Sequence, residues 1–297
     1  MKYRLLGNTG IKVSMLGYGC MSLKSEQQVN ESLLHMALDQ GINFFDTADI
    51  YQDGLNETTV GKAFKYKRQQ VIIATKAGNV RRPDGGLDWN ASKKHILSAA
   101  EQSLQRLGTD YIDLYQLHGG TMEDNIDETI EAFELLKSQG KIRAWGISSI
   151  RPNVIRSYVN RAGIASVMMQ YSLLDRRPEE RCLPLLEEHK ITVLSRGSIA
   201  QGLLTGKPAA AYLDYTAAQV KQAADAIKQV AVNENDITRV ALQYVLAQPA
   251  VGVAVVGMRT ALQLKEMITA ASGEPLSVTE IEQLRGSLLP NFYQQHR

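Results

Sequence analysis

Phe44-Phe45-Asp46-Thr47-Ala48-Asp49-Ile50-Tyr51 decides how the rest of this chain is read. Ile42, Phe44 and Phe45 make a short apolar, aromatic-rich run of the kind that forms buried strands. That run leads directly into two carboxylates and a tyrosine. A carboxylate at the end of a buried strand is costly unless it is paired or hydrogen-bonded, so the sequence requires a cation from elsewhere. A second run, Val71-Ile72-Ile73-Ala74-Thr75, ends in Lys76, and a third, Ile112 to Leu117, ends in His118. Predicted strands that end in titratable groups mark Asp46, Tyr51, Lys76 and His118 as one candidate catalytic site.

Outward from these runs the apolar spacing alternates between strand and helix. Tyr3 to Leu6 and Ile11 to Val13 read as a hairpin around Gly7-Asn8-Thr9-Gly10. A strand near Met15-Leu16 follows, then a helix through Val29, Leu33 and Leu34 that stops at Gly41. Further helices are predicted from Glu57 to Phe64 and through Ile96 to Leu107, with residues 79–92 as a long loop between the second and third runs. Later strands are expected at Ile142–Ile147, Ser166–Leu174, Ile191–Leu194 and Val251–Val256, each followed by a helix, with an extra helix near Ala217–Val230. Strict alternation argues for a parallel sheet covered by helices. Eight units in 297 residues, with no linker-like break, predict a single (β/α)8 TIM barrel domain over 1–297 with an N-terminal β-hairpin. Chemistry in such barrels sits at the C-terminal strand ends, which is where Asp46, Lys76 and His118 fall.

Composition narrows the function classes. Hydrophobic residues are 44% and charged residues 22% of the chain, enough for a large core and too apolar for global disorder. A net charge of +2 gives no warrant for a nucleic-acid or anionic membrane partner. Cys20 and Cys182 are too few for a disulfide framework or a cysteine zinc site. His35, His95, His189 and His296 show no ligand spacing, so no metal is expected. No apolar run reaches the roughly 20 residues that span a bilayer, and Met1 to Gly7 lacks a signal-peptide core. A cytoplasmic protein is the expectation. Arg176-Arg177 with Glu179-Glu180 reads as a solvated helix start, Cys20 as a small packing residue, and Trp89 and Tyr293 as surface residues, packing residues or pocket lining.

The quartet has a chemical logic. A free tyrosine titrates near ~10 and is a poor acid at neutral pH. A nearby ammonium lowers that value, and a carboxylate keeps the ammonium charged and placed. His118 is suited to orienting a carbonyl oxygen or sharing in proton transfer. Together the four supply a proton donor aimed at a carbonyl, as hydride reduction needs.

At these residues the sequence resembles the aldo-keto reductases. The match runs through Asp46-Thr47-Ala48, Tyr51, Gly54, Asn56-Glu57, Thr75-Lys76 and Tyr115-Gln116-Leu117-His118. It continues through Ser103 to Leu107, Asp110 to Asp113, Gly140 to Arg143 and Gln201 to Lys207. The resemblance implies NADPH-dependent reduction of a small aldehyde or ketone, with Tyr51 as proton donor and Lys76, Asp46 and His118 assisting. It implies a cofactor across the barrel mouth, beside Asp46 and the first strand end at Gly19, Cys20 and Met21. Ser148 and Ser149 match the carboxamide positions. The family's carboxamide-binding Gln falls on Met168, with Gln170 two residues on. Arg196 takes the place of the tyrosine that stacks under the nicotinamide, and Gly197, Ile199 and Gln201 follow it. Gly257, Met258, Arg259, Gln263, Glu266 and Met267 fall on the adenosine-phosphate segment. A strand ending in Gly before a helix N-terminus is itself an anion site, and Arg259 suits a 2′-phosphate, so NADPH is favoured over NADH. Ser149, Met168, Arg196 and Met267 depart from the family pattern. The first three support an alternative, an NADPH-binding regulatory barrel with vestigial catalysis. The loops after the strands point to no particular substrate, and oligomeric state has no sequence signal.

Overall fold

Twelve strands and ten helices emerge from this pattern in the computed structural model, which describes residues 1–24 and 26–297. The short strands β1 (Tyr3–Leu5) and β2 (Lys12–Ser14) pair antiparallel. Then follow β3 (Leu16–Gly19), α1 (Gln27–Asp39), β4 (Phe44–Asp46), α2 (Leu55–Phe64) and β5 (Ile72–Ala77). A second small hairpin, β6 (Asn79–Arg81) with β7 (Leu87–Trp89), precedes α3 (Lys93–Leu107). The chain continues through β8 (Ile112–Leu117), α4 (Ile126–Ser138), β9 (Ile142–Ser148), α5 (Pro152–Arg161), β10 (Ser166–Gln170), α6 (Cys182–Glu188) and β11 (Thr192–Arg196). The last elements are α7 (Ala217–Val230), α8 (Ile237–Leu246), β12 (Val251–Val256), α9 (Ala261–Ser272) and α10 (Val278–Gly286). Strands β3, β4, β5, β8, β9, β10, β11 and β12 close in that order into a parallel barrel. The predicted (β/α)8 barrel with an N-terminal hairpin is the observed fold.

Local chemistry sets the helix ends. Ser92 accepts from the His95 N–H at the start of α3, and Gly108 ends that helix in a left-handed conformation. Pro152 opens α5, and capping boxes at Thr216/Gln219 and Ser277/Glu280 open α7 and α10.

The barrel interior explains how the site is placed. Phe44, Ala74, Leu114, Ala144, Met168, Leu194, Val253 and Val255 fill it, with Leu6, Ile11 and Val13 of the hairpin packed against them. The hairpin closes the N-terminal end. Gly7 N–H donates to Thr192 Oγ1 at 2.7 Å, Ser14 N–H to Asn43 Oδ1 at 2.7 Å, and Arg4 Nη2 to Leu246 O at 3.0 Å. Side chains on a strand return to the same face every second residue. A step of two from the apolar layer leads from Phe44 to Asp46, Ala74 to Lys76, Leu114 to Gln116, Met168 to Gln170 and Leu194 to Arg196. The same alternation that buries the core delivers polar groups to the opposite mouth.

Three expectations need correction. Residues 79–92 are not one loop, because Asn79 to Arg81 pairs with Leu87 to Trp89. Trp89 packs over Gly78 and Gly119 and donates to Asp124 Oδ1 at 2.8 Å. The strand begun at Ser166 ends at Gln170, since Ser172 and Asp175 exchange backbone hydrogen bonds in a tight turn. The charged run at 176–180 is not a solvated helix start. Arg176 is only 8% exposed and donates to Glu179 and to the carbonyls of Arg285 and Leu288. Arg177 pairs with buried Asp175 and stacks 5.0 Å from the ring of buried Tyr293. The C-terminal segment covers this run. Among the described residues no helix is long and apolar enough to cross a membrane.

Candidate active site

Lys76 is fully buried, and its ammonium donates to both carboxylate oxygens of Asp46 at 2.7 Å and to Thr47 O at 2.7 Å. Burial works against this charge, but the Asp46 carboxylate holds the lysine above its ordinary value. The carboxylate that the sequence left needing a partner has one. Tyr51 stands over the pair, its ring centre 5.3 Å from Lys76 Nζ. The His118 ring meets the Tyr51 ring edge-on at 6.0 Å.

The expected lowering of the Tyr51 pKa is not what results. Burial raises it above the ordinary value of 10.0, with Lys76 opposing and Asp46 reinforcing the rise. The sequence showed the ammonium but not the desolvation that outweighs it. Tyr51 is therefore a protonated phenol at neutral pH, as a proton donor must be. His118 is pushed down to about 3, first by burial and then by the Lys76 and Arg196 cations. It is a neutral imidazole throughout the physiological range, with Nδ1 buried and unpartnered. That suits orientation of a carbonyl and excludes a role as a cationic acid at neutral pH.

The turn that presents Tyr51 is strained and heavily fastened. Gln52 and Asp53 have φ of 51° and 54°, and Gly54 has φ of 87°, a run of left-handed residues that persists only if the surroundings hold it. Gln52 Nε2 donates to Leu23 O at 3.0 Å, and Asp53 forms an ion pair with Arg81 of β6. A Cβ on Gly54 would lie 2.7 Å from Arg106 Cδ, so the turn requires glycine for both angle and space. Asn56 accepts from Thr47 Oγ1 at 2.7 Å and donates to Cys20 O at 2.8 Å. Glu57, fully buried, accepts from Thr75 Oγ1 at 2.5 Å and Arg106 Nε at 2.6 Å. The neighbours of Asp46 and Lys76 are thus tied to the helix that follows Tyr51.

Sequence reasoning gave no role to Gln116. It lies two residues before His118 on the same strand face, is fully buried, and has neither amide atom partnered within hydrogen-bond distance. Burial raises the nearby Asp46 carboxyl above its ordinary value, with the Lys76 ammonium the main opposing influence. The period-two spacing from His118 was the available signal.

The rest of the rim holds the residues expected at a cofactor. At the β3–β12 edge a Cβ on Gly257 would lie 2.9 Å from Ser22 Cβ, and one on Gly19 would lie 3.3 Å from Gly257 N. Met21, Gly257, Arg259, Gln263 and Glu266 are exposed. Thr260 caps the start of α9 by accepting from Gln263 N–H, the Gln263 side chain accepts from Arg259 N–H at 2.8 Å, and Glu266 accepts from Thr238 Oγ1 at 2.5 Å. Ser148, Gln170, Gly197 and Ile199 are half-buried at the mouth, and Arg196 and Gln201 are exposed. Cys20, Met168, Met258 and Met267 are buried. Met168 belongs to the interior layer, one step below Gln170, and Met258 offers its carbonyl to Tyr18 Oη. Buried Ser149 donates its N–H to Met168 O and accepts at Oγ from Arg151 N–H. The glycine edge, the α9 N-terminus with Arg259, and the polar rim fit an extended dinucleotide with an anionic end. Among the described residues no group of three or more His, Cys, Asp or Glu could hold a metal ion.

The Aldo/keto reductase family model matches residues 15–288. The chain is 50% identical to the uncharacterized oxidoreductase YqkF of Bacillus subtilis (strain 168), over 100% of both chains. It is 35% identical to the NADH-specific methylglyoxal reductase of Escherichia coli (strain K12), over 69% of this chain and 70% of that one. Among solved structures, the holo form of aldo-keto reductase AKR11C1 from Bacillus halodurans superposes with a TM-score of 0.94 at 46% identity, covering 100% of this chain and 99% of that one.

Proposed function

Because the chain belongs to the aldo/keto reductase family, we propose that it reduces a small aldehyde or ketone to the alcohol with NADPH, as a single cytoplasmic domain. The observation that carries this reading is the buried Lys76–Asp46 pair beneath Tyr51, with neutral His118 alongside.

The chain's own residues account for the proton half of the reaction. His118, neutral and desolvated, orients the carbonyl oxygen toward the Tyr51 hydroxyl. Tyr51 gives its proton to that oxygen as negative charge develops there. The Lys76 ammonium stabilises the phenolate left behind, and Asp46 keeps the ammonium charged and fixed. Bound across the rim, the reduced cofactor would supply the hydride to the carbonyl carbon. Arg259 at the start of α9 supports NADPH over NADH, since a guanidinium matches a 2′-phosphate. Relatives differ here, and the Escherichia coli one is named NADH-specific, so the choice belongs to this chain's own residues. The two free cysteines, both buried, suit a reducing compartment.

The test follows cofactor oxidation with NADPH and NADH over a panel of aldehydes and ketones. Turnover favouring NADPH supports the proposal. Tight NADPH binding without turnover would move the protein to the regulatory reading.

A further inference from the structure

Besides Arg259 and Glu266 at the α9 edge, the rim carries a charged group that the proton-transfer quartet does not use. Arg196 ends β11 beside Gln170, its Cα partner on β10. Its side chain donates from Nη1 to the neutral Gln170 Oε1 at 3.1 Å, and Gln170 Nε2 donates onward to Tyr212 Oη at 2.9 Å. Gly197, with φ of +69°, folds beneath this chain, and a Cβ there would lie 3.2 Å from Gln170 Cγ. The guanidinium is strapped to the mouth, yet its charge is met by an amide. The neighbouring Arg177, in contrast, is neutralised by Asp175. The field of Arg196 reaches Asp46, Tyr51 and His118.

Geometry then limits what faces it. Asp46, Lys76 and His118 stand at the ends of β4, β5 and β8. A hydride donor must come within roughly 3–3.5 Å of the carbonyl carbon. The rim adjoins on two sides: the β3–β12 edge at Gly19 and Gly257, and the end of β9, β10 and β11, where Ser148, Gln170 and Arg196 stand. We infer that Arg196 reads the oxidation state of the cofactor, tolerating the neutral reduced nicotinamide and repelling the cationic oxidised ring. This rests on the cofactor reading proposed above. The consequence is selective loading with NADPH and early loss of NADP+ after each turnover. An exposed guanidinium is well screened, but a nicotinamide bound against it would exclude water and restore part of the interaction. The expected charge discrimination is on the order of tenfold in the ratio of the two affinities.

That ratio isolates the effect. NADPH and NADP+ share the same adenosine phosphates, so contributions from Arg259 and α9 cancel. Titration of wild type, Arg196→Gln and Arg196→Lys with each nucleotide, by calorimetry, is the experiment. Wild type should bind NADPH more tightly than NADP+. Arg196→Gln should narrow that gap by strengthening NADP+ relative to NADPH, and Arg196→Lys, which keeps the charge, should stay nearer wild type. Equal weakening of both nucleotides by Arg196→Gln would show a packing role and overturn the inference. An Arg196→Lys ratio indistinguishable from that of Arg196→Gln would assign the effect to shape and overturn it too. If wild type binds no nicotinamide nucleotide, the proposed function fails and this inference with it, a result distinct from an unchanged ratio.

Discussion

Lys76 Nζ lies 2.7 Å from each carboxylate oxygen of Asp46, in a site where the lysine is fully buried and the aspartate 4% exposed. Neither charge is tolerable there alone. Breaking such a pair by removing one partner typically costs about 3–5 kcal/mol, because the remaining charge is stranded. Lys76→Met should therefore lose both stability and the field that stabilises a Tyr51 phenolate. The expected fall in kcat/KM is about 10²–10⁴-fold, with folding checked by circular dichroism. Near-normal turnover in a folded Lys76→Met protein would remove the lysine from the mechanism.

His118 adds a pH signature. Its pKa is lowered from 6.5 to about 3, so it carries no proton change in the range where free histidines titrate. The kcat profile should be flat with respect to this residue between about pH 5 and pH 8. Direct NMR titration of the His118 ring should show the neutral form across that window. An imidazolium signal at pH 6 would contradict the neutral orienting role.

Asp49, two residues before Tyr51, is raised from 3.8 to about 7, first by burial and then by Glu57. One carboxylate oxygen is buried without a partner. With the folded value above the unfolded one, the folded state binds the extra proton. The contribution to stability is full below the unfolded value and is lost as pH rises toward and through about 7. Asp49→Asn removes that dependence. The variant's melting temperature should gain on wild type from pH 4 to pH 8 by a few degrees, at roughly 2–4 °C per kcal/mol for a chain this size. A constant difference across pH would refute the assignment.

Gly54 is the weakest point of the catalytic turn. Its φ of +87° and the 2.7 Å approach to Arg106 Cδ exclude a side chain without movement. Gly54→Ala should destabilise the protein by about 1–3 kcal/mol and lower kcat while leaving NADPH affinity near wild type. Unchanged kcat would show that the turn tolerates displacement of Tyr51.

Much of this was legible beforehand because barrel strands carry their own evidence. Apolar runs ending at Asp46, Lys76 and His118 announced both the sheet and the mouth, and the extra helix α7 has the predicted bounds. Hairpin β6–β7 was not legible, since its strands are three residues each with no buried residue and no alternation to read. The covered state of Arg176 was hidden for a different reason. Its backbone N–H donates to Asn291 Oδ1, 115 positions along the chain, and no local pattern reports such a partner. For Tyr51 the identities of its neighbours were readable but the degree of burial was not, and burial sets the direction of its pKa. Gln116 was passed over because an amide between two recognised residues has no motif of its own.

The most direct test of the account is turnover by Tyr51→Phe beside wild type, with NADPH affinity measured on the same preparations. The ring remains and only the proton donor is lost. The account predicts NADPH binding within about twofold of wild type and a kcat lowered by at least about 10²-fold. Retention of full reductase activity by Tyr51→Phe would contradict it.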